Sequence, residues 1–140
     1  SEREKLAAEY AQRFALDHLT MHDAFFDRMR TGYADDEIAD LVICCDVLEH
    51  CPEQDLQWIL EDIAGHARRG VFLVIACYPA KKSLPSGENA HITVHPPAWW
   101  KPRIAAAMAV RSGLAWQAVF EELQDGQKVI SKKRGQSPAD

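Results

Sequence analysis

Three side chains capable of acid–base chemistry follow one apolar run in this sequence. Asp46, Glu49 and His50 come directly after residues 41–45. If that run is a strand of an open α/β sheet, these side chains lie at its carboxyl end, where such sheets bind ligands. An imidazole there can accept a proton near neutral pH, and a carboxylate can orient it. The alternative is that all three residues only shape the turn that follows the strand.

A second histidine lies in a long segment that carries candidate contacts to a substrate. Prolines and a glycine interrupt residues 78–97, so this segment is predicted to be mostly loop, and long loops are often functional. His91 is a candidate base or orienting group, with Asn89 beside it. Trp99 and Trp100 follow and could stack on a planar acceptor. The alternatives are a loop histidine bonded to the backbone and tryptophans that cover a core edge.

Four cysteines invite a metal hypothesis, because thiolate and imidazole suit zinc. Cys44, Cys45 and Cys51 lie close to His50 in the sequence. Adjacent residues of a strand point to opposite faces, however, so Cys44 and Cys45 cannot both face one ion. We therefore expect these cysteines to act as small buried hydrophobic residues, and the sequence predicts no metal site.

The elements that must position the candidate residues are two apolar runs joined by a helix. Residues 41–45 and 71–76 are continuously apolar, which predicts strands that are covered on both faces. Between them, apolar residues recur at helical spacing: Leu56, Ile59, Leu60 and Ile63. The Arg-Arg-Gly sequence at 68–70 predicts the end of that helix. Strand, helix and strand together predict a right-handed parallel βαβ unit.

The rest of the chain predicts further elements around this unit. Alanine-rich residues 103–111 predict a helix. The pair Asp125-Gly126 predicts a hairpin, so residues 114–123 and 128–132 should be antiparallel strands.

The chain is predicted to be one domain over residues 1–140, with residues 39–133 as its main part. Residues 2–14 have an amphipathic helical pattern, and residues 16–21 suggest a short strand. The polar residues 134–140 are expected to form a flexible tail.

Composition limits the class of protein. The 140 residues are 47% hydrophobic and 26% charged, as in an ordinary globular domain, and the formal net charge is -5. This charge argues against a broad nucleic-acid-binding surface. No apolar run approaches the roughly 20 residues that a membrane span needs, and no signal peptide is expected. Cysteines beside apolar runs, rather than in a spaced framework, indicate a reducing cytoplasm.

The order of elements and two motifs resemble the class I S-adenosylmethionine-dependent methyltransferase family. Residues 40–50, Asp-Leu-Val-Ile-Cys-Cys-Asp-Val-Leu-Glu-His, look like that family's fourth strand and the turn after it. Residues 76–82 and 84–91, followed by the paired tryptophans, resemble a bacterial and phage subgroup of the family. The resemblance covers residues 40–132. It implies an α/β fold: an incomplete Rossmann-like, mostly parallel sheet with a terminal antiparallel β-hairpin.

The resemblance also implies a cofactor and roles for the candidate residues. S-adenosylmethionine would be the cofactor, His50 and His91 the catalytic residues, and Asn89, Trp99 and Trp100 the substrate contacts. The cofactor-binding positions would be Asp23, Asp46, Val47 and Glu49. Family members also hold the cofactor against a glycine-rich turn after the first strand. That turn is missing here, since Gly32 is the only glycine before Asp40.

Two functions follow as expectations. The first is transfer of a methyl group from S-adenosylmethionine to an unidentified acceptor. The alternative is a non-catalytic methyltransferase relic that serves as a binding or oligomerisation module. A sheet edge left where missing strands would pair favours a homo-oligomer or a completing partner chain.

Overall fold

The structure is a computed structural model that describes residues 32–139. From Ala34 onwards these residues belong to one compact unit. The helix predicted for residues 2–14, the strand predicted for residues 16–21 and the candidate Asp23 lie outside the described residues. No helix within residues 32–139 is long and apolar enough to cross a membrane.

Two helices and four strands make up this unit. In chain order they are β1 (Ala39–Cys45), α1 (Leu56–Gly65), β2 (Ala67–Ala76), α2 (Pro97–Met108), β3 (Ala115–Gln124) and β4 (Gln127–Gln136). Short 3-10 turns at Leu48–His50 and Glu53–Asp55 connect β1 to α1.

The strands form one mixed sheet in the order β1-β2-β3-β4. β1 pairs with β2 in parallel, with Val42 opposite Val71 and Cys45 opposite Val74. β2 also pairs with β3 in parallel, whereas β3 and β4 are antiparallel. The predicted parallel strand–helix–strand unit and the antiparallel terminal hairpin are therefore confirmed.

Both helices lie on the same face of the sheet. The connections from β1 to β2 and from β2 to β3 have the same handedness, and both step in the same direction across the sheet. Their helices therefore lie on one face and pack side by side. Alternate residues of β2 and β3 point into this layer. The core joins buried residues of both helices and these strands: Leu56, Leu60, Val71, Leu73, Ile75, Trp100, Ile104, Met108, Ala118 and Phe120.

The other face of β1 differs from the prediction of a strand covered on both sides. Leu41 is 53% exposed and Ile43 is 62% exposed. In the described part of the chain both crossover helices lie on the opposite side, which leaves these two residues uncovered. The continuous apolar run indicated a parallel strand correctly, but it did not reveal that the helices share one face.

The helix α1 ends earlier than the Arg-Arg-Gly sequence predicted. It stops at Gly65, and residues 67–70 already belong to β2. The side chain of Arg111 donates hydrogen bonds to the carbonyl oxygens of Ala64, at 3.2 Å, and Gly65, at 2.7 Å. A cation at this position satisfies the last carbonyl groups and complements the helix dipole. The helix end is thus set by a residue 46 positions away in the chain.

The helix α2 begins at Pro97 rather than at residue 103. Proline is favoured as the first residue of a helix, because its missing N–H would be unpaired there in any case. Trp100, Ile104 and Met108 then follow at four-residue spacing and are fully buried. The two tryptophans therefore belong to the first turn of this helix.

The terminal hairpin extends further than predicted. Asp125 and Gly126 have φ values of 51° and 76°, as the two central residues of a type I′ turn require. β4 runs to Gln136, and the hydroxyl of buried Ser137 donates a 2.7 Å hydrogen bond to the Met108 carbonyl oxygen. The segment expected to fray from residue 134 is therefore paired and anchored as far as Ser137.

Candidate active site

After β1 the chain turns from the surface into the protein interior. Asp46 has a φ of 58°, a left-handed conformation that aspartate tolerates better than most residues, and its amide donates a 3.0 Å hydrogen bond to the Val74 carbonyl oxygen. Asp46 and Val47 are exposed. Leu48 is fully buried and anchors the next turn, so that Glu49 also lies inside. The turn thus presents two exposed residues and one buried carboxylate at the carboxyl end of β1.

The long loop after β2, residues 77–96, is fastened to this turn. The buried Thr93 makes two of the bonds: its amide donates to the Glu49 carbonyl oxygen at 3.1 Å, and its hydroxyl donates to the Cys51 carbonyl oxygen at 2.7 Å. The Nδ1 atom of His50 lies 2.8 Å from the Ala90 carbonyl oxygen. These bonds hold the loop against the end of β1.

Asn89 fixes the part of the loop that carries His91. Its side-chain oxygen accepts hydrogen bonds from the amides of Ala80 and His91, both at 2.9 Å. Its side-chain nitrogen donates to the Ala80 carbonyl oxygen, also at 2.9 Å. The predicted role of Asn89 in contacting a substrate does not fit this geometry, because its amide is occupied by the backbone. Asn89 is instead a positioning residue for His91.

Glu49, His50 and His91 converge at the carboxyl edge of β1 and β2. One potential ligand atom from each residue lies within 4.8 Å of the others. The two imidazole rings are in edge-to-face contact, with centroids 4.9 Å apart and planes inclined at 79°. The sequence alone predicts a functional role for each histidine on separate grounds. The structure brings them together in one site with a carboxylate.

The hydrogen bonds of the two imidazoles define their tautomers. The Nδ1 atom of His91 lies 2.6 Å from the Tyr78 carbonyl oxygen, and that of His50 faces the Ala90 carbonyl oxygen. A carbonyl oxygen only accepts, so both Nδ1 atoms carry hydrogen and donate. In the neutral rings both Nε2 atoms therefore keep a free lone pair, which can accept a proton or bind a metal ion.

The Glu49 carboxylate is an unusual buried group. Glu49 is 1% exposed, and its Oε2 atom makes no hydrogen bond to any described residue. Burial raises the pKa of this carboxyl group, against the opposing effects of its own backbone amide and of His50 and His91. Because Glu49 is enclosed beside the histidines, its predicted role as a cofactor contact does not fit, whereas Asp46 and Val47 remain accessible.

The paired tryptophans have different environments. Trp100 is fully buried in the core, so it cannot stack on an acceptor as predicted. Trp99 is half-buried beside a cavity of about 320 Å³. The His95 ring stacks on it at 3.9 Å between centroids, and the Arg103 guanidinium lies 3.8 Å from its centroid. Both neighbours therefore compete with an acceptor for the indole rings of Trp99.

All four cysteines are free thiols. Cys44 packs against the core while Cys45 is exposed, so the two side chains point to opposite faces of the strand as predicted, but the expectation that Cys45 is buried was wrong. Burial raises the pKa of Cys44 to about 11 and that of Cys77 to about 12. These two thiols remain protonated at neutral pH.

Sequence reasoning identified each member of the cluster but not the cluster itself. The position of His50 follows from strand β1 alone. That of His91 depends on a loop whose anchors, Asn89 and Thr93, are small polar residues with no recognisable spacing. Their convergence could have been predicted only from the topology, since the carboxyl ends of adjacent parallel strands meet at one edge of a sheet.

Comparisons with known proteins add no family to this description. No family model matches the chain, and searches of curated proteins and of solved structures gave no significant match.

Proposed function

We propose that this protein is an enzyme of the methyltransferase type, which transfers a methyl group from S-adenosylmethionine to an acceptor. The observation that carries the proposal is the convergence of Glu49, His50 and His91 at the carboxyl edge of a parallel sheet. That edge is where open α/β sheets bind ligands. The choice of methyl transfer comes from the resemblance of residues 40–50 and 76–91 to the methyltransferase family.

The described residues fit the cofactor in part. Asp46 and Val47 are exposed in the turn after β1 and are free to contact it, and the negative charge of Asp46 suits the positively charged sulfonium end. The glycine-rich turn of the family has no counterpart before β1 in the sequence. When bound, S-adenosylmethionine supplies a methyl group that its sulfonium already activates.

The protein's own residues must therefore position the acceptor and remove a proton from it. A neutral imidazole with a free Nε2 lone pair is a suitable base near neutral pH, and both His50 and His91 have one in the tautomers given above. Their Nδ1 bonds to backbone carbonyl groups hold the rings in place. Fixed orientation of the reacting groups accounts for a large part of catalysis in reactions of this kind.

Calorimetric titration with S-adenosylmethionine and S-adenosylhomocysteine tests the proposal. Micromolar binding to the wild type is expected, and Asp46→Asn should weaken it about tenfold, or about 1.4 kcal/mol, through loss of the negative charge. Asn retains the left-handed conformation that this turn needs. Asp125→Asn is the matched control, because Asp125 is also exposed and left-handed but lies in the hairpin. Absence of binding at millimolar ligand would rule out the proposal.

A second candidate function is self-association of a non-catalytic module. The exposed apolar residues Leu41 and Ile43, on the face of β1 away from the helices, favour it. Sedimentation of the wild type and of Ile43→Lys separates the candidates. A stable dimer that the substitution dissociates, together with no cofactor binding, would support the module rather than the enzyme.

A further inference from the structure

We propose that Glu49, His50 and His91 form a binding site for one divalent transition-metal ion, with Zn²⁺ as the representative ion. One ligand atom from each residue lies within 4.8 Å of the others. Zinc holds nitrogen and oxygen ligands at about 2.0–2.2 Å, so ligand atoms around it are roughly 3–3.5 Å apart. Side-chain movements of about one ångström bring the three residues to that spacing.

The hydrogen bonds of both imidazoles match the pattern of metal-bound histidines. Such residues nearly always donate the N–H of the second ring nitrogen to a carboxylate or a backbone carbonyl, which fixes the ring and its tautomer. His50 donates to the Ala90 carbonyl oxygen at 2.8 Å, and His91 donates to the Tyr78 carbonyl oxygen at 2.6 Å. Both Nε2 atoms are left as ligands.

The unpaired oxygen of Glu49 supplies an independent argument. This carboxylate is 1% exposed, and its Oε2 atom has no hydrogen-bond donor among the described residues. In these tautomers the Nε2 atoms of His50 and His91 are lone-pair donors as well, so the neutral rings have no N–H beyond those that they give to backbone carbonyl groups. A buried oxygen of this kind requires a partner, and a cation bound by Glu49 together with the exposed His50 and the half-buried His91 would supply one.

The ligand set indicates what the ion would do. Two histidines and one carboxylate are typical of catalytic sites, where three protein ligands leave a coordination position open. An acceptor oxygen bound at that position would lose its proton more readily, because the ion stabilises the negative charge. This inference goes beyond the proposed function, since the ion would activate the acceptor and the histidines would serve as ligands. Metal binding itself does not depend on methyl transfer.

Calorimetric titration of chelator-treated protein with ZnCl₂ tests the site. We expect one equivalent to bind to the wild type, and each of Glu49→Gln, His50→Ala and His91→Ala to weaken binding by at least about 100-fold. His66→Ala is the control, because His66 follows α1 at the opposite end of β2. Circular dichroism establishes that each variant is folded. Absence of zinc binding to folded wild type, or unchanged affinity in folded Glu49→Gln and His91→Ala, would overturn the proposal.

Substitution with Co²⁺ identifies the ligand atoms. Nitrogen and oxygen ligands give only weak visible bands, as expected here, whereas an intense near-ultraviolet thiolate band would assign the ion to cysteines and contradict the site. S-adenosylmethionine titration of the same preparation separates the two proposals. Cofactor binding without zinc binding overturns only the metal site, and zinc binding without cofactor binding overturns only methyl transfer.

Discussion

Glu49 is the residue at which the site departs most from ordinary packing. A buried carboxylate normally has a cation or several N–H groups around it, because an uncompensated buried charge is costly. Glu49 has two imidazoles whose free nitrogens are acceptors, and one of its oxygens has no donor among the described residues. We therefore expect this arrangement to destabilise the protein when the site holds no ligand.

The substitution Glu49→Gln should stabilise the metal-free protein while removing zinc binding. A glutamine amide can donate to the histidine Nε2 atoms, which a carboxylate cannot do, so a gain of about 1 kcal/mol is expected. Thermal unfolding with a chelator present measures it.

The pH dependence of this gain provides its control. The folded-state pKa of Glu49 is raised, so the wild type is relatively most stable below the ordinary glutamate value of 4.5 and loses that stability as the pH rises. The advantage of glutamine should therefore be present at neutral pH and shrink in acid. Equal melting temperatures at neutral pH would argue against an uncompensated carboxylate.

The cysteines should differ in reactivity according to their burial. With pKa values of about 11 and about 12, Cys44 and Cys77 carry a thiolate in about one molecule in a thousand or fewer at pH 8. Cys45 is exposed. Iodoacetamide should modify Cys45 well before the other two, as followed by peptide mass spectrometry. Equally fast modification of Cys44 would contradict its burial against the core.

Sequence reasoning worked for residues whose role depends on local position. His50 and Asp46 follow a recognisable strand, so their location at its carboxyl end was predictable. The roles of Asn89 and Trp100 were not, because the backbone groups that occupy Asn89 and the core that buries Trp100 come from tertiary packing. Polar and aromatic residues in a loop look the same in sequence whether they face a ligand or the protein.

At the scale of elements, the loop of residues 77–96 is the part that assembles the site. It carries His91 from the end of β2 to the turn after β1. Within the loop the His91 amide donates to the Asn89 side chain, and bonds from His50 to the Ala90 carbonyl oxygen and from Thr93 to the Cys51 carbonyl oxygen hold the loop to the turn. Such bonds substitute for the regular structure that prolines exclude from this segment.

Replacement of Asn89 with alanine should therefore loosen the site without unfolding the protein. We expect zinc affinity to fall about tenfold, as for other residues that support metal ligands indirectly, with little change in the circular dichroism spectrum. Ser86→Ala, in the exposed part of the same loop, is the control. If Asn89→Ala bound zinc with wild-type affinity, the hydrogen bonds of Asn89 would not be what positions His91.

The terminal hairpin allows a test of the sheet itself. Gly135 lies opposite Trp116 in the β3–β4 pair, and a Cβ atom at Gly135 would come within 2.2 Å of the indole ring. Gly135→Ala should therefore destabilise the fold by about 1–3 kcal/mol, as overpacking does. Urea unfolding measures this, with exposed Lys133→Ala as control. An unchanged midpoint would place Trp116 elsewhere.

The bounds of helices and turns could be predicted where the residues that determine them are close together in the sequence. The two central residues of the hairpin turn both adopt positive φ, and an Asp-Gly pair encodes this directly. The end of α1 was misplaced because its carbonyl groups are capped by Arg111, which no local pattern reveals. The uncovered face of β1 was missed for the same reason, since it depends on which side both helices occupy.

At the scale of the whole molecule, ligand binding and stability are linked. A ligand that binds only the folded state stabilises it by about 2.7 kcal/mol at 100 times its dissociation constant. Zinc should therefore raise the melting temperature of the wild type and leave that of His91→Ala unchanged. An equal rise in both proteins would place the ion outside the proposed site.

The hydrogen positions on the His50 and His91 imidazoles give the sharpest test of the proposed metal site. Long-range ¹H–¹⁵N correlation spectra of labelled protein, assigned with His50→Gln and His91→Gln, report which ring nitrogen carries hydrogen. We expect hydrogen on Nδ1 in both neutral rings and a shift of both Nε2 resonances when Zn²⁺ is added. Hydrogen on Nε2 in either ring of the metal-free protein, or a shift confined to one histidine, would contradict the proposed metal site.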